Sequence, residues 1–259
     1  MEPREQLVTR NTVIERARHG LIEFGILSVL FGLYYATRGL AAGKEIDAFQ
    51  NAREVMHLER KLGLFREIGV QAWLLAQPWI VHFLNWVYTY THMAGLVLFG
   101  IWLFWRHTER YREFRNVFLG ILGIGLLIYA LYPLAPPRFF PYNGFVDTLA
   151  LYGKVNYDQP SVAMLYNPFA AMPSLHVAFA LFCGIGVIRV GRKLAHWLLG
   201  TFYPLLMITA VVGTGNHYIL DAIAGSTLTV AAYIFVPRIT AALARYRERL
   251  TADAHSVAP

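Results

Sequence analysis

The chain has 259 residues, of which 56% are hydrophobic and 15% charged, and a net charge of +7. Soluble domains average roughly 45–50% apolar and about 25% charged residues, so this chain carries too little charge to cover a soluble surface of its size. That composition excludes a soluble enzyme and a disordered chain, and the single cysteine, Cys183, excludes a disulfide framework or a multi-cysteine metal site.

The fold class that follows is an all-α membrane protein: a bundle of six transmembrane helices with one or two amphipathic interfacial helices. A spanning helix takes about 20 mostly apolar residues. Six stretches qualify: 21–41, 79–105, 116–134, 174–190, 194–214 and 217–237. The polar segment 1–20 has no short apolar core with a cleavage site, so no removable signal peptide is expected and the first span anchors itself. The membrane domain then covers 21–237 and a polar tail 238–259.

Between the first two predicted spans, Glu45 to Leu62 sets Ile46, Phe49, Ala52, Val55, Met56, Glu59 and Leu62 at helical spacing. That mostly apolar face predicts an amphipathic helix on the membrane surface. A second short helix, about 65–77, ends before Pro78. The connection 135–172 is rich in Pro, Tyr, Asn and Gly. Connections of this length usually carry function. With six spans, fifteen lysines and arginines fall on the side of the termini and eight on the other. The positive-inside rule makes the termini cytoplasmic and 135–172 extracytoplasmic. The basic excess thus belongs to loops at the bilayer, not to a nucleic-acid surface. The absence of an Asn-x-Ser/Thr sequon favours a bacterial cell membrane over a secretory organelle.

Three segments meet on that outer face: Tyr132 to Pro141, Ala171 to His176 and Gly213 to Asp221. His217 and Asp221 are four residues apart, a spacing that stacks them on one helix face. Asp221 then accepts a hydrogen bond from one imidazole nitrogen and leaves the other as base or nucleophile. The bland alternative is a buried pair that pins helices together, but an ionisable group inside a span defaults to function. Ser174 is placed to cap the fourth span, with His176 in its first turn. Such a helix start suits a phosphate, and a histidine there suits protonation of a leaving oxygen. The guanidinium of Arg138 suits phosphate oxygens; its alternative is snorkelling to lipid headgroups. Two histidines and an aspartate also form a possible zinc set, but an aspartate engaged with His217 is spent as its orienting group, so no metal and no cofactor is expected. His82, Tyr88, Tyr90 and His92 form a polar stripe on the second span, read first as interhelical hydrogen bonding. His57 is read as interfacial only.

Pro-Ser-Leu-His (173–176), followed 41 residues after its histidine by His-Tyr-Ile-Leu-Asp (217–221), resembles the type 2 phosphatidic acid phosphatase superfamily. The segments Ala-Pro-Pro-Arg (135–138) and Asn-Pro-Phe-Ala-Ala-Met-Pro-Ser-Leu-His (167–176) look more like its inositol phosphorylceramide synthase branch, as does Glu59-Arg-Lys-Leu-Gly-Leu-Phe65. The resemblance runs from about 47 to 237. It implies a six-helix membrane bundle in which His217 is the nucleophile, Asp221 its partner, His176 the acid to the leaving group, and Arg138 with the backbone near Ser174 the phosphate site. Lys154, Asn216 and His92 are candidate substrate contacts.

Two phosphatase-type features are missing. The pattern places a lysine seven residues before its arginine and a proline just after it, where this chain has Leu131 and Phe139. Its third motif opens with Ser-Arg, where this chain has Ala210 and Val211. Lys154, Arg53 and Arg60 are the candidate substitutes for the lost cations. The expected activity is therefore cleavage of a lipid phosphoester, or transfer of its phospho-headgroup to an alcohol acceptor such as inositol, through a phosphohistidine. A polyprenyl phosphate phosphatase is the alternative within the superfamily. A transporter with a proton-relay His–Asp pair is the alternative outside it, but no internal repeat supports that reading.

Overall fold

The computed structural model describes residues 20–23, 25–26, 28–29, 32–33, 43–152 and 167–256. The helices with full bounds are α1 (Glu45–Leu62), α2 (Glu67–Leu75), α3 (Pro78–Trp86), α4 (His92–Arg106), α5 (Thr108–Leu131), α6 (Thr148–Tyr152), α7 (Leu175–Val190), α8 (Leu194–Gly213) and α9 (Ile219–Ser256). A π-helical turn, Val87–Thr91, joins α3 to α4 in one rod. Among the described residues there is no strand, only an isolated parallel bridge between Leu134 and Ala170.

Among the described residues, four stretches are long and apolar enough to cross a membrane: Pro78–Arg106, Thr108–Leu131, Leu194–Gly213 and Ile219–Thr251. The all-α membrane fold therefore holds, and these stretches correspond to four of the six predicted spans. Most of the predicted span 21–41 lies outside the described residues. The predicted span 174–190 forms α7, only 16 residues long. Pro173 and Ser174 start it late, and it is packed inside the bundle, with Val177, Ala178, Ala180 and Phe182 buried. A helix that is apolar all round is buried in a protein core or spans a membrane. Its contact with α8 depends on Gly184 and Gly200, where a Cβ on either would run into the other's carbonyl oxygen. Small residues of this kind let two membrane helices approach backbone to backbone.

Predicted boundaries shift for local reasons. Helix α5 begins at Thr108 rather than 116, because the charged residues before the apolar run are helical too. It stops at Leu131 because Tyr132 precedes Pro133 and is driven out of the helical region. Helix α9 continues through Pro237 to Ser256, so much of the predicted polar tail is helix.

Helix α1 buries Ala48, Ala52, Val55, Met56 and Glu59. Ile46 and Leu62 sit at its two ends and stay exposed, at 83% and 57%. The buried stripe packs with Leu134, Ala135, Phe140, Phe145 and Tyr218 into one apolar cluster. Burying a side chain such as Met56 from water stabilises by about 1.5–3 kcal/mol. Polar bonds add register: Asn51 Nδ2 donates to Pro133 O at 2.8 Å and Ala135 N to Ala48 O at 3.1 Å. Gly63 ends α1 in the left-handed region, with φ 70°, and Leu64 N donates to Glu59 O at 2.8 Å. That turn sends the chain directly into α2.

Candidate active site

The three predicted segments do converge. Ser174 precedes α7 as its N-cap, and its Oγ accepts from Val177 N at 3.4 Å. Its own N–H donates to Asp221 O at 3.0 Å, which joins the starts of α7 and α9. The two helices touch because residue 225 is glycine; a Cβ there would strike Ser174 O. Ser174 is fully buried, so its side chain serves the helix start. The first-turn N–H groups of Leu175 and His176 have no acceptor within the helix, an arrangement that suits an anion.

His217 lies just before α9, not inside it, because the helix starts at Ile219. It is 3% exposed. Its Nδ1 lies 2.8 Å from Ala171 O and 3.3 Å from Asp221 Oδ2. Both are acceptors, so Nδ1 carries the proton and Nε2 keeps its lone pair. Asp221 thus shares the orienting role with a backbone carbonyl. The stronger bond of its carboxylate is from Tyr218 N, at 2.9 Å. Burial first, and then the charge of Arg138, push the His217 imidazole down to about 3, so it is neutral at ordinary pH.

His176 faces His217 with ring centroids 5.6 Å apart. Two further rings close on it: Tyr88 at 4.4 Å and His92 at 4.2 Å. Both come from the π-turn region, a distortion that often marks function. The predicted polar stripe is split by that turn. Tyr88 is buried against the site, Tyr90 is 48% exposed, and the ring of His82 packs on Tyr152 instead. His57 is exposed on α1.

Arg138 sits in a 3-10 turn, Pro137–Phe139, and is 6% exposed. Its guanidinium bonds Asn216 Oδ1, its Nε is 3.9 Å from Asp147 Oδ2, and its backbone N donates to Gly215 O at 2.8 Å. Asn216, predicted as a substrate contact, is thus also the residue that aims Arg138. Asp147 was not anticipated. Its loop is held by Gln71, whose amide bonds Val146 N and O at 2.8 and 2.9 Å, and by Thr148 Oγ1 donating to Thr214 O at 2.9 Å.

Tyr88, His92, Arg138, His176, Asn216 and His217 line one end of a cavity of about 1120 Å³. Phe99, Leu103, Phe114 and Phe118 line its long apolar part, and Arg115 and Glu23 its far end, where they pair. The positions of the two missing cations are not polar. Leu131 is 74% exposed and Val211 is fully buried in the core. Of the candidate substitutes, Arg53 and Arg60 are exposed on α1, and Arg60 lies over the Phe65 ring at 4.5 Å. Neither lines the cavity. Lys154 lies outside the described residues.

Two buried acids behind the site escaped the sequence reading. Glu59 Oε1 accepts from Leu220 N at 2.8 Å, and Glu67 Oε1 from Ile219 N at 3.0 Å. The available signal was Glu59 itself, a carboxyl on the apolar face of α1.

The PAP2 superfamily matches residues 53–235. Among curated proteins, the phosphoinositol dihydroceramide synthase of Bacteroides thetaiotaomicron is 28% identical over 156 residues, 54% of this chain and 50% of that protein. The chain therefore spans about half the length of that relative. No solved structure matches the chain. The family match covers most of the chain, including α7, the α7–α8 glycine contact and the His217 turn, and on that basis the chain belongs to the PAP2 superfamily.

Proposed function

We propose that this protein is an integral membrane phosphotransferase that moves the phospho-headgroup of a lipid phosphodiester to an alcohol acceptor through a phosphohistidine on His217. The observation that carries the reading is the tether on His217. Ala171 O and Asp221 hold Nδ1, so Nε2 is the free nitrogen of a residue lining the cavity with Arg138 and His176. In the first step Nε2 attacks phosphorus, the bond to the lipid oxygen breaks, and His176 gives that oxygen a proton. In the second step the acceptor hydroxyl gives its proton to His176 and attacks phosphorus. The N–P bond breaks and the lone pair returns to Nε2. Arg138 and the first-turn N–H groups of α7 neutralise the charge that develops on the phosphoryl oxygens.

The charge at the site favours a diester. Among the described residues lining the cavity the lysines and arginines are Arg138 and Arg115, and Arg115 pairs with Glu23 at the far end. A phosphodiester carries one negative charge where a phosphomonoester carries nearly two, so one arginine matches the former. The apolar length of the cavity fits lipid chains. The name of the bacterial relative makes a phosphoinositol headgroup and a dihydroceramide the first pair to try. In this reading α1 and α2 lie at the outer membrane surface, the termini are cytoplasmic and the site is extracytoplasmic. A phosphatase that uses water in the second step is the competing reading, in keeping with the superfamily's type 2 phosphatases.

The test uses purified protein in detergent with phosphatidylinositol, with and without dihydroceramide, following free inositol phosphate and new phospho-lipid together. Acceptor-dependent product that is absent in His217→Ala supports the proposal. Phosphate or inositol phosphate release independent of acceptor indicates hydrolysis, and product formation by His217→Ala at the wild-type rate ends the phosphohistidine route.

A further inference from the structure

We propose that Glu59 and Glu67 are positioning residues for the reaction: from α1 and α2 they clamp the first turn of α9 and so fix where His217 stands. The inference rests on the catalytic reading of His217 given above.

A helix start leaves its first N–H groups without intrahelical acceptors. At α9 three successive groups each meet a carboxyl. Tyr218 N donates to Asp221 Oδ2 at 2.9 Å, Ile219 N to Glu67 Oε1 at 3.0 Å and Leu220 N to Glu59 Oε1 at 2.8 Å. Only Asp221 is local. Glu59 and Glu67 reach across 161 and 152 residues of sequence. His217 is the residue just before this clamped turn, and its own N–H is held by Val211 O at 3.0 Å. Any shift of the α9 start relative to α1 and α2 therefore moves the imidazole against Arg138 and His176.

All three acids are fully buried. A buried carboxyl is unfavourable unless its oxygens are satisfied, and beyond the N–H groups of α9 the side chain that meets Glu59 is the carboxyl of Glu67. Two such groups on a helix surface would ordinarily be replaced by apolar residues. The groups that face Glu59 are Glu67 from α2, Asp221 from α9 and the Tyr218 phenol between them. Burial, and then the neighbouring carboxyl of Glu67, push Glu59 up to about 9. It therefore holds its proton at neutral pH while Oε1 still accepts from Leu220. Ionisation above that point adds a negative charge beside the other carboxyls and loosens the clamp.

The sign for stability follows from the raised value. Between about 4.5 and about 9 the folded protein keeps a proton that the unfolded chain has lost, so this contribution falls as pH rises. A glutamine keeps the accepting oxygen and cannot ionise.

The experiment compares wild type, Glu59→Ala, Glu59→Gln and His217→Ala as full chains in detergent, with phosphatidylinositol and dihydroceramide as the substrate pair. Glu59→Ala is expected to lower kcat by between about ten- and a hundredfold with KM unchanged. Glu59→Gln is expected to restore kcat at pH 7 and to lack the alkaline fall that wild type shows near pH 9. The Tm of Glu59→Gln should gain on wild type as pH rises from 5 to 9. A Glu59→Gln rate profile that superimposes on wild type through pH 10 overturns the proposal, as does full kcat in Glu59→Ala. If Glu59→Ala does not fold, the glutamine profile decides. Absent wild-type turnover, or wild-type turnover in His217→Ala, fails the catalytic reading instead. The Tm arm needs no turnover, and a Tm difference independent of pH overturns the clamp by itself.

Discussion

Helices α7 and α9 start side by side, joined by the bond from Ser174 N to Asp221 O, yet the two starts are finished in opposite ways. Helix α7 is capped by one local hydroxyl, Ser174 Oγ on Val177 N. Its first N–H groups suit an anion. Helix α9 has its first N–H groups consumed by three carboxyls, two of them from the distant helices α1 and α2. An N-terminus carries roughly half a positive charge. In the proposed reaction, an open second start would compete for the phosphate and draw it away from His217. Closed by acids, it cannot bind an anion and serves as a rigid mount. In the proposed reaction the difference separates two jobs within one small volume: α7 would receive the phosphoryl group, and α9 would present the nucleophile.

The largest expected effect tests the α9 side. His217→Ala should reduce turnover by on the order of 10⁴-fold or more, since no other described residue replaces the nucleophile, while expression and melting stay near wild type. A residual rate within tenfold of wild type would mean that α9 presents something other than the nucleophile. Asp221→Asn should cost less. Where a carboxylate alone sets the tautomer of a catalytic histidine, its amide variant loses about 10⁴-fold. Here Ala171 O also holds Nδ1, at the shorter distance of 2.8 Å. The expected loss is therefore about 10²-fold, measured as kcat. A loss equal to that of His217→Ala would assign the tautomer to Asp221 alone.

The asymmetry between the two starts also explains what could be read from the chain. Pro173-Ser174-Leu175-His176 announces a capped helix because the cap is local, and His217 with Asp221 announces a pair because four residues bring them together. The convergence of these segments with Arg138 followed from placing all three on one membrane face. Glu59 and Glu67 act at α9 across more than 150 positions, and no spacing rule encodes such a contact. The same holds for Asp147, placed beside Arg138 only by the loop's bonds to Gln71 and to Thr214. The place of α7 inside the bundle was hidden for a related reason. Apolar content marks α7 as a membrane segment, but the pattern of a helix buried by its neighbours and that of one exposed to lipid are alike in a single sequence. The π turn that brings Tyr88 and His92 onto His176 adds a register shift that a 3.6-residue period does not contain.

Acidification sharpens the comparison with a smaller effect. Free imidazole titrates near 6.5, but burial holds His217 down to about 3. Between those values the unfolded chain binds a proton that the folded site refuses. Its contribution to stability is thus present above pH 6.5 and is lost as pH falls toward 3. Activity, in contrast, should show no His217 limb between pH 8 and pH 5, because the folded site stays neutral throughout. A rate that halves near pH 6.5 together with loss of the phosphohistidine would show that the imidazole is open to water when α9 presents it.

The smallest effect belongs to the α7 cap. Ser174→Ala removes the oxygen on Val177 N, and loss of an N-cap hydroxyl costs about 1 kcal/mol of stability. The backbone bond from residue 174 to Asp221 O survives, because it needs no side chain. Ser174 does not line the cavity. Turnover should therefore fall by less than about tenfold, with a lowered melting temperature as the main result. If Ser174→Ala instead lost as much turnover as Asp221→Asn at an unchanged melting temperature, the hydroxyl would be touching the phosphoryl group. Helix α7 would then bind the anion through a side chain as well as through its open N–H groups. The division of labour between the two helix starts would remain, but the receiving end would be built from more than backbone.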